Sequence, residues 1–247
     1  MQVVILCGGK GTRAYPFTAY FPKAMMPIGG TPIVVHLMRL YADQGFTHFV
    51  LAGGHRIEML NDYFRGRFPE WNVEIVDTGE TSGTGERIRR CQPYVGEMFH
   101  ATYADGLGDV DLHALVNFHE QHGGLATVTA VPLRSQYGTI VSEDTGLVTE
   151  FVEKPVMHEH WINAGFFVFS KGVFERWDGD VLESEVLPRL IPLRTLFTFR
   201  HGGFWKSMDT SNDQTEFERL YKSGEAPWIR SGLETAPQEA KERLASA

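Results

Sequence analysis

One short segment carries the residue types and spacing that most directly suggest chemistry. Leu6-Cys7-Gly8-Gly9-Lys10-Gly11-Thr12-Arg13 combines three glycines with two cations, directly after an apolar run typical of a β-strand. Glycines let backbone N–H groups approach a polyphosphate closely, because no Cβ stands in the way. A tight turn alone would explain the glycines but would leave Lys10 and Arg13 without a purpose. The segment therefore predicts a loop that binds phosphate groups.

Two standard nucleotide-binding motifs do not account for this loop. Residues 9–14 match the dinucleotide pattern G-x-G-x-x-A, which requires a helix to begin inside the motif. Pro16, Pro22 and Pro27 exclude a regular helix there, because each removes a backbone donor and clashes with the preceding turn. The Walker A pattern is absent from the sequence. The interpretation that remains is a long loop over residues 8–30 that wraps a nucleoside triphosphate, with Lys23 as a further cation or, alternatively, as a solvated surface lysine.

Alternating strands and helices must position these residues. Apolar runs predict strands, and 10–15-residue helical patterns follow them, one helix beginning at a Thr31 cap and another at an Asp111 cap. Such βαβ units predict a mostly parallel sheet whose carboxyl ends meet at one edge, where ligands bind. We expect Gly8, Gly53, Asp77 and Asp105 to cluster at that edge, because each follows a strand. The predicted strands are Gln2–Cys7, His48–Leu51, Val73–Val76, Phe99–Tyr103 and Ala126–Val131.

The pattern changes at Gly138. Thr139–Val141, Leu147–Val152 and Ile162–Phe169 resemble β-hairpin segments and predict a mixed β insert that forms the acceptor side of a cleft. The predicted fold is thus α/β, a Rossmann-like and mostly parallel sheet with helices on both faces plus this insert. We expect one domain over residues 1–230, with a nucleotide half of about 1–131 and an acceptor half of about 132–230. Residues 231–247 are polar and predict a C-terminal helix or tail.

Composition narrows the function classes. The chain has 247 residues and a formal net charge of −8, which argues against a protein that coats nucleic acid. Cys7 and Cys91 are too few for a disulfide framework, which favours a reducing compartment. No apolar run is long enough for a signal peptide or a membrane span. We therefore expect a cytoplasmic protein that binds neither nucleic acid nor membrane, and whose self-association is left open.

The chain resembles the sugar-1-phosphate nucleotidylyltransferases. The resemblance rests on the segment Leu6–Arg13, called the glycine loop below, and on Pro22-Lys23, Pro27-Ile28-Gly29-Gly30-Thr31-Pro32, Glu153-Lys154-Pro155 and Trp161-Ile162-Asn163-Ala164-Gly165. Within that family the segment 77–90 and Gly203-Phe204-Trp205-Lys206-Ser207-Met208-Asp209-Thr210 are most similar to glucose-1-phosphate cytidylyltransferases. Ser82 stands where that group has a threonine, and Glu86 and Ala104 stand where it has glycines.

The resemblance implies a substrate and a set of nucleotide contacts. CTP would bind over the sheet edge, with UTP, dTTP or GTP as alternative nucleotides. Arg13 and Lys23 would be catalytic, Arg13 on the β- and γ-phosphates and Lys23 between the α-phosphate and the acceptor phosphate. The nucleotide-binding residues implied are Leu6, Gly8, Gly9, Gly11, Thr12, Arg13, Lys23, Ser82, Thr84, Gly85, Arg87 and Ala104.

The resemblance also implies a metal ion and an acceptor. Asp105 and Asp209 would hold Mg²⁺, which suits an ion that prefers one or two carboxylates together with phosphates and waters. Lys154 would hold the phosphate of a sugar 1-phosphate, and Gly138, Glu153 and Asn163 would contact the same acceptor, with ordinary sheet positions as the alternative for these three residues. The attacking phosphate is already anionic, so positioning and charge neutralisation suffice. A nucleotide-sugar-binding regulatory protein without catalysis is the alternative of another class.

Overall fold

The computed structural model describes residues 1–11, 18 and 20–229, and a seven-stranded sheet forms the centre of that part. Lys23–Met25 form a single 3-10 turn that precedes the second strand. The strands and α-helices follow in chain order as β1 (Gln2–Leu6), β2 (Pro27–Ile28), β3 (Thr31–Pro32), α1 (Ile33–Ala42), β4 (His48–Gly53), α2 (Ile57–Phe64), β5 (Asn72–Asp77), α3 (Thr84–Arg90), β6 (Met98–Tyr103), β7 (Gly106–Gly108), α4 (Leu112–His122), β8 (Ala126–Arg134), β9 (Thr139–Ser142), β10 (Val148–Val152), β11 (Val156–Ser170), α5 (Leu187–Leu190), β12 (Leu196–Arg200), β13 (Trp205–Ser207) and α6 (Ser211–Lys222).

The sheet order is β12-β8-β11-β6-β1-β4-β5. Strand β1 runs parallel to β4 and β6, β4 runs parallel to β5, and β12 runs parallel to β8. Only β11 opposes its two neighbours among these seven strands. The predicted mostly parallel α/β fold is therefore confirmed.

Apolar residues of β1 are buried on both faces of the sheet. Val3 and Ile5 join the core that α1, α2, α4 and α6 cover, whereas Val4 joins the opposite core with Ile88 of α3 and Leu187 of α5. Because successive strand side chains point to opposite faces, one continuous apolar run supplies both cores. The expected helices on both faces are present.

Helix α1 begins one residue later than predicted, because Pro32 and not Thr31 stands in its cap position. Thr31–Pro32 pair with Pro27–Ile28 as a small hairpin, whose turn places Gly29 and Gly30 at φ values of 56° and 78°. Two consecutive residues with positive φ are what a tight two-residue hairpin requires. The first helical N–H, from Ile33, instead donates to the Met26 carbonyl at 2.8 Å. The Asp111 cap of α4 is confirmed, since its carboxylate accepts from the Ala114 N–H at 2.9 Å.

The second half differs from the predicted insert. Strand β11 lies inside the central sheet, between β6 and β8, and its residues Ala164–Phe169 are buried. This run is continuously apolar, which is typical of a strand covered on both faces rather than of a hairpin. Of the three hairpin-like segments predicted there, only the two that form β9 and β10 pair as a separate two-stranded sheet, whose residues are largely exposed. No helix of the described residues has the length and apolar character needed to cross a membrane.

Candidate active site at the sheet edge

The loops predicted to bind ligand leave the sheet at the same edge, at the carboxyl ends of the parallel strands. Leu6, the last residue of β1, lies opposite Ala52 of β4 and Tyr103 of β6. The glycine loop, Gly53-Gly54 and Ala104-Asp105 therefore leave the sheet side by side. Asp77, at the end of β5, lies opposite Gly53, so the expected clustering at this edge is confirmed.

Gly8 makes room for an arginine side chain. A Cβ on Gly8 would lie 2.0 Å from Nη1 of Arg87, and a Cβ on Gly54 would lie 2.4 Å from the same atom. Space around Gly9 is open, because a Cβ at that position would meet no heavy atom within 4 Å. The glycines of this loop thus serve two purposes, since Gly8 admits a protein cation and Gly9 leaves its backbone accessible to a ligand.

Gly11 combines a left-handed backbone with a close neighbour. Its φ is 60°, and a Cβ there would lie 2.9 Å from Cβ of Lys23. The glycine loop is therefore in contact with the base of the Lys23 side chain. Thr12 and Arg13, both predicted to bind nucleotide, lie outside the described residues.

Lys23 bridges the two predicted metal ligands. Its Nζ donates to Oδ2 of Asp105 at 2.6 Å and to Oδ1 of Asp209 at 2.8 Å. The lysine side chain is only 13% exposed, so it is not a solvated surface lysine. Burial alone would lower the pKa of Lys23, but the two carboxylates outweigh burial and raise it. The ammonium is therefore fully charged at neutral pH.

The pairing of β13 with β7 places Asp209 next to Asp105. Strand β13 pairs antiparallel with β7, which places Ser207 opposite Gly106. Directly beyond this ladder, the Met208 N–H donates to the Asp105 carbonyl at 2.8 Å. Asp213 then fixes the backbone of Asp209, because its Oδ2 accepts from the Asp209 N–H at 3.1 Å. Residues far apart in sequence thus meet through backbone pairing.

The two carboxylates fit a divalent cation as a pair. Their oxygens already converge on one positive charge, the Lys23 ammonium. No group of three or more His, Cys, Asp or Glu side chains capable of holding a metal occurs in the described part of the chain. A magnesium ion held here would therefore need phosphate oxygens and waters as its remaining ligands, which is the coordination that this ion prefers.

Arg87 is buried and binds loop carbonyls. Its Nη1 donates to the carbonyls of Gly53 and Gly79 at 3.1 and 2.8 Å, and its Nη2 donates to the Gly8 carbonyl at 3.0 Å. Thr78 and Glu80 accept further hydrogen bonds from the same guanidinium. One side chain therefore ties together the loops that follow β1, β4 and β5. Its predicted contact with nucleotide stays a prediction.

The other predicted base-side residues lie around the start of α3. The Ser82 hydroxyl donates to the Thr78 carbonyl, and the Thr84 hydroxyl donates to Oε2 of Glu183 at 2.7 Å. Gly85 approaches Asp180, whose carbonyl would lie 3.0 Å from a Cβ at that position. Leu6 ends β1 and is partly buried, whereas Ala104 directly follows β6 and is buried.

Among the predicted acceptor residues, Asn163 lies beside the candidate active site. Its Nδ2 donates to the Tyr103 hydroxyl at 3.2 Å, and its Oδ1 accepts from the Gly165 N–H at 2.8 Å. Tyr103 ends β6, immediately before Ala104-Asp105. The Trp205 indole N–H donates to the next carbonyl along, that of Ala164, at 2.7 Å.

The remaining acceptor residues lie on the exposed hairpin and its exit. A Cβ on Gly138 would lie 3.0 Å from Oε2 of Glu153, which places these two residues together. Lys154 has a φ of 49°, and its ammonium has no ion-pair partner among the described residues. No hydrogen bond between described residues joins this group to Lys23, Asp105 or Asn163.

Sequence reasoning missed the network around Tyr103. Its hydroxyl donates to the Glu183 carboxylate, which also accepts from the Thr84 hydroxyl. Because Tyr103 also accepts from Asn163, this network connects Thr84, which is predicted to bind nucleotide, with Asn163, which is predicted to bind the acceptor. Burial raises the pKa of Tyr103, and the neighbouring Glu183 carboxylate raises it further. Tyr103 could have been found from its place directly before Ala104-Asp105. Glu183 lies in an acidic stretch that carries no comparable signal.

Other potentially reactive groups are packed in the core. Burial raises the pKa of the Cys7 thiol, which keeps it protonated and unreactive. His36 is buried on α1, where its Nε2 lies 2.9 Å from the Ile28 carbonyl. Both residues are therefore part of the packed core, and neither offers a nucleophile or a base to the sheet edge.

Comparisons with known proteins identify the family of the chain. The Nucleotidyl transferase family model matches residues 2–188. Glucose-1-phosphate cytidylyltransferase of Salmonella typhi is 37% identical over 254 residues, covering 92% of this chain and 98% of that protein. The probable glucose-1-phosphate cytidylyltransferase of Bacillus subtilis (strain 168) is 35% identical, covering 92% and 99%.

A solved structure supports the fold independently. HddC from Yersinia pseudotuberculosis complexed with GMP-PN superimposes with a TM-score of 0.69 at 22% identity, covering 89% of this chain and 99% of that one. The family match spans most of the chain, and the two bacterial relatives are covered almost end to end. The resemblance noted from the sequence is thereby confirmed, and the chain belongs to the nucleotidyl transferase family, among the sugar-phosphate nucleotidyltransferases that these relatives represent.

Proposed function

We propose that the protein transfers a cytidylyl group from CTP to a sugar 1-phosphate, with glucose 1-phosphate as the acceptor. The products are a CDP-sugar and pyrophosphate. The observation that carries the proposal is the convergence of Lys23, Asp105 and Asp209 at the sheet edge, beside the glycine loop. Relatives that are named as glucose-1-phosphate cytidylyltransferases over almost their whole length support the choice of substrates.

The chemistry needs positioning and positive charge rather than a base. An oxygen of the sugar phosphate attacks the α-phosphorus, and the bond from that phosphorus to the bridging oxygen of the β-phosphate breaks. Both reactants are anions, so a cation between them lowers their repulsion. Lys23 is placed for this role, because it is charged, largely buried and in contact with the glycine loop. Arg13 is proposed as a second catalytic cation.

Asp105 and Asp209 are the proposed ligands of Mg²⁺. A bound magnesium ion would neutralise phosphate charge and orient the phosphate oxygens. The chain's own contribution is to hold both carboxylates in place. The β7–β13 ladder fixes Asp105, and the Asp213 carboxylate fixes the backbone of Asp209.

We assign the remaining contacts by half. Residues of about 1–131 bind the nucleotide, and residues of about 132–230 bind the acceptor. The proposed acceptor residues are Gly138, Glu153, Lys154 and Asn163. The proposed nucleotide residues are Leu6, Gly8, Gly9, Gly11, Thr12, Arg13, Lys23, Ser82, Thr84, Gly85, Arg87 and Ala104. Arg87 contributes at least by fixing three loops around the nucleotide.

The protein is proposed to act in the cytoplasm, without nucleic acid or membrane as a partner. Its formal net charge of −8 disfavours binding to both polyanions.

A substrate matrix tests the proposal. Pyrophosphate release is measured with CTP, UTP, dTTP and GTP, each with glucose 1-phosphate and with a panel of other sugar 1-phosphates, in the presence of Mg²⁺. We expect CTP to exceed UTP by about ten- to a hundred-fold, because a mispaired buried polar group costs about 1–3 kcal/mol. Equal turnover of another nucleotide would overturn the base assignment but keep the reaction. Binding without release of pyrophosphate for any pair would favour a regulatory protein.

A further inference from the structure

Lys10 is a cation of the glycine loop for which the reaction described so far has no use. It stands between Gly9, which has open space around it, and Gly11, which contacts Lys23. Its Nζ lies 3.3 Å from Oε1 of Glu80, and both side chains are more than half exposed. The position is therefore accessible to a ligand at the sheet edge.

Glu80 is the anion that holds Lys10 in the free protein. The same Oε1 atom lies 3.2 Å from Nδ1 of His55. Hydrogen bonds from His55 and Lys10 lower the pKa of Glu80, which keeps its carboxylate charged at neutral pH. The lysine is thus paired with one negative charge that it shares with a second partner.

The ion pair spans the loops of the candidate nucleotide site. Lys10 belongs to the loop after β1, and Glu80 belongs to the loop after β5. The backbone N–H of His55 and the guanidinium of Arg87 both donate to the Gly8 carbonyl, at 3.1 and 3.0 Å. These two hydrogen bonds fix the glycine loop next to Lys10. The backbone around Lys10 is therefore held, while its four-carbon side chain is free to reorient.

A triphosphate presents several negative charges at the same edge. Exposed ion pairs are weak, because water screens them and ordering two long side chains costs entropy. A lysine held by a single exposed carboxylate can therefore exchange it for a polyanion without a large penalty. Arg87 lacks this freedom, since its guanidinium is buried among carbonyls.

We propose that Lys10 is a further substrate-binding residue that contacts the β- or γ-phosphate of the nucleotide, and that Glu80 competes with the nucleotide for it. The proposal rests on the proposed nucleotidyl transfer, and it predicts opposite effects on nucleotide affinity for substitutions of Lys10 and Glu80. Loss of the lysine weakens nucleotide binding, whereas neutralisation of the glutamate strengthens it.

The test compares Lys10→Met, Lys10→Arg and Glu80→Gln with the wild type. KM and kcat are measured with CTP, and the Kd of inorganic triphosphate is measured by calorimetry. We expect Lys10→Met to raise KM and Kd about ten-fold with kcat changed less than about three-fold, since a hydrogen bond to a charged group is lost from both ground and transition states. Lys10→Arg should restore most of the affinity. Glu80→Gln should lower both constants by about two- to five-fold, the strength of an exposed ion pair.

A matched control is Lys222→Met, which removes another exposed lysine paired with a glutamate, 3.2 Å from Glu218. It should leave both constants unchanged. Unchanged binding in Lys10→Met would overturn the proposal, as would weakened binding in Glu80→Gln, because a purely structural bridge would suffer from loss of either partner. Failure of the wild type to release pyrophosphate would refute the nucleotidyl transfer instead, and the triphosphate titration would still report on Lys10.

Discussion

Gly8 and Arg87 occupy adjoining space that only the absence of a side chain on the glycine makes available. A Cβ at Gly8 would fall 2.0 Å from Nη1 and 2.4 Å from Cζ of Arg87. The guanidinium in turn donates to the Gly8 carbonyl at 3.0 Å. The glycine loop and helix α3 are therefore packed directly against each other, although several other elements separate them in sequence.

Gly8→Ala should destabilise the protein and weaken nucleotide binding together. The arginine must move, and overpacking of this kind costs about 1–3 kcal/mol in the free energy of unfolding. Denaturant unfolding measures the first effect, and the KM for CTP measures the second. Gly9→Ala is the matched control for the effect on stability, because a Cβ there meets no heavy atom within 4 Å. Equal stability of the two variants would contradict this role of Gly8.

Arg87→Ala should lower the free energy of unfolding by about 3 kcal/mol or more, because several buried acceptors lose their donor at once. Combined with Gly8→Ala, it should give a strongly non-additive result, since the alanine methyl group then fills space that the guanidinium has left. A double-variant unfolding cycle measures this coupling. Additive effects within about 0.5 kcal/mol would show that the two residues do not compete for space.

Local features of the fold were accessible from the sequence. Asp111 caps α4 as expected, because capping chemistry acts over a few residues. Thr31 shows the limit of such signals. Its hydroxyl and the following proline are equally compatible with a cap and with the hairpin that Gly29-Gly30 close.

Longer-range relations were not accessible in the same way. Lys23 meets Asp105 across 82 residues and Asp209 across 186, and the β7–β13 ladder that aligns the two acids consists of three residues in each strand. Nothing in a three-residue strand specifies its partner. Arg87 illustrates a chemical ambiguity, because a guanidinium suits phosphate oxygens and backbone carbonyls equally well.

Lys23→Met should reduce kcat by about 10²–10³-fold with a smaller effect on CTP binding, as expected when a cation that stabilises the transferring phosphate is removed. Steady-state kinetics with direct CTP titration separates the two effects. Lys206→Met is the matched control, because Lys206 is also held by two carboxylates, those of Asp213 and Glu216, at 2.8 and 2.9 Å. Comparable losses of kcat in both variants would remove the special role of Lys23.

Magnesium should bind more tightly to Lys23→Met than to the wild type in the absence of nucleotide. In the wild type the ammonium already neutralises Asp105 and Asp209, so a metal ion must displace it. Thermal unfolding with and without MgCl₂ measures this difference. A ten-fold gain in affinity should appear as an additional rise of about 3–5 °C in the unfolding temperature at saturating metal. Adding Asp209→Asn to Lys23→Met should abolish the gain. If MgCl₂ raised the unfolding temperatures of the wild type and of Lys23→Met equally, the metal ion and the Lys23 ammonium would not occupy the same position.

Acid should destabilise the protein from about pH 6.5 downward, because buried histidines are held neutral. Burial lowers the pKa of His36 to about 4 and that of His119 to about 4. Burial is the main cause for His36, and its contact with Trp228 adds to the preference for the neutral form. Its Nε2 must donate to the Ile28 carbonyl, whereas its Nδ1 accepts from the Trp228 indole N–H at 3.5 Å, and protonation would set two donors against each other.

The sign follows from comparing the folded and unfolded chains. Each histidine has a lower pKa in the folded state than the value near 6.5 of an unfolded chain, so the unfolded chain binds more protons between about pH 6.5 and 4. The stabilisation is therefore complete above pH 6.5 and is lost as the pH falls through that window, at up to about 1.4 kcal/mol per pH unit for each histidine. Urea unfolding across this range measures the slope. His36→Gln, which keeps a donor for the Ile28 carbonyl, should flatten this slope by up to one proton. A wild-type stability that stays constant from pH 6.5 to 5 would show that these histidines are not held neutral by the fold.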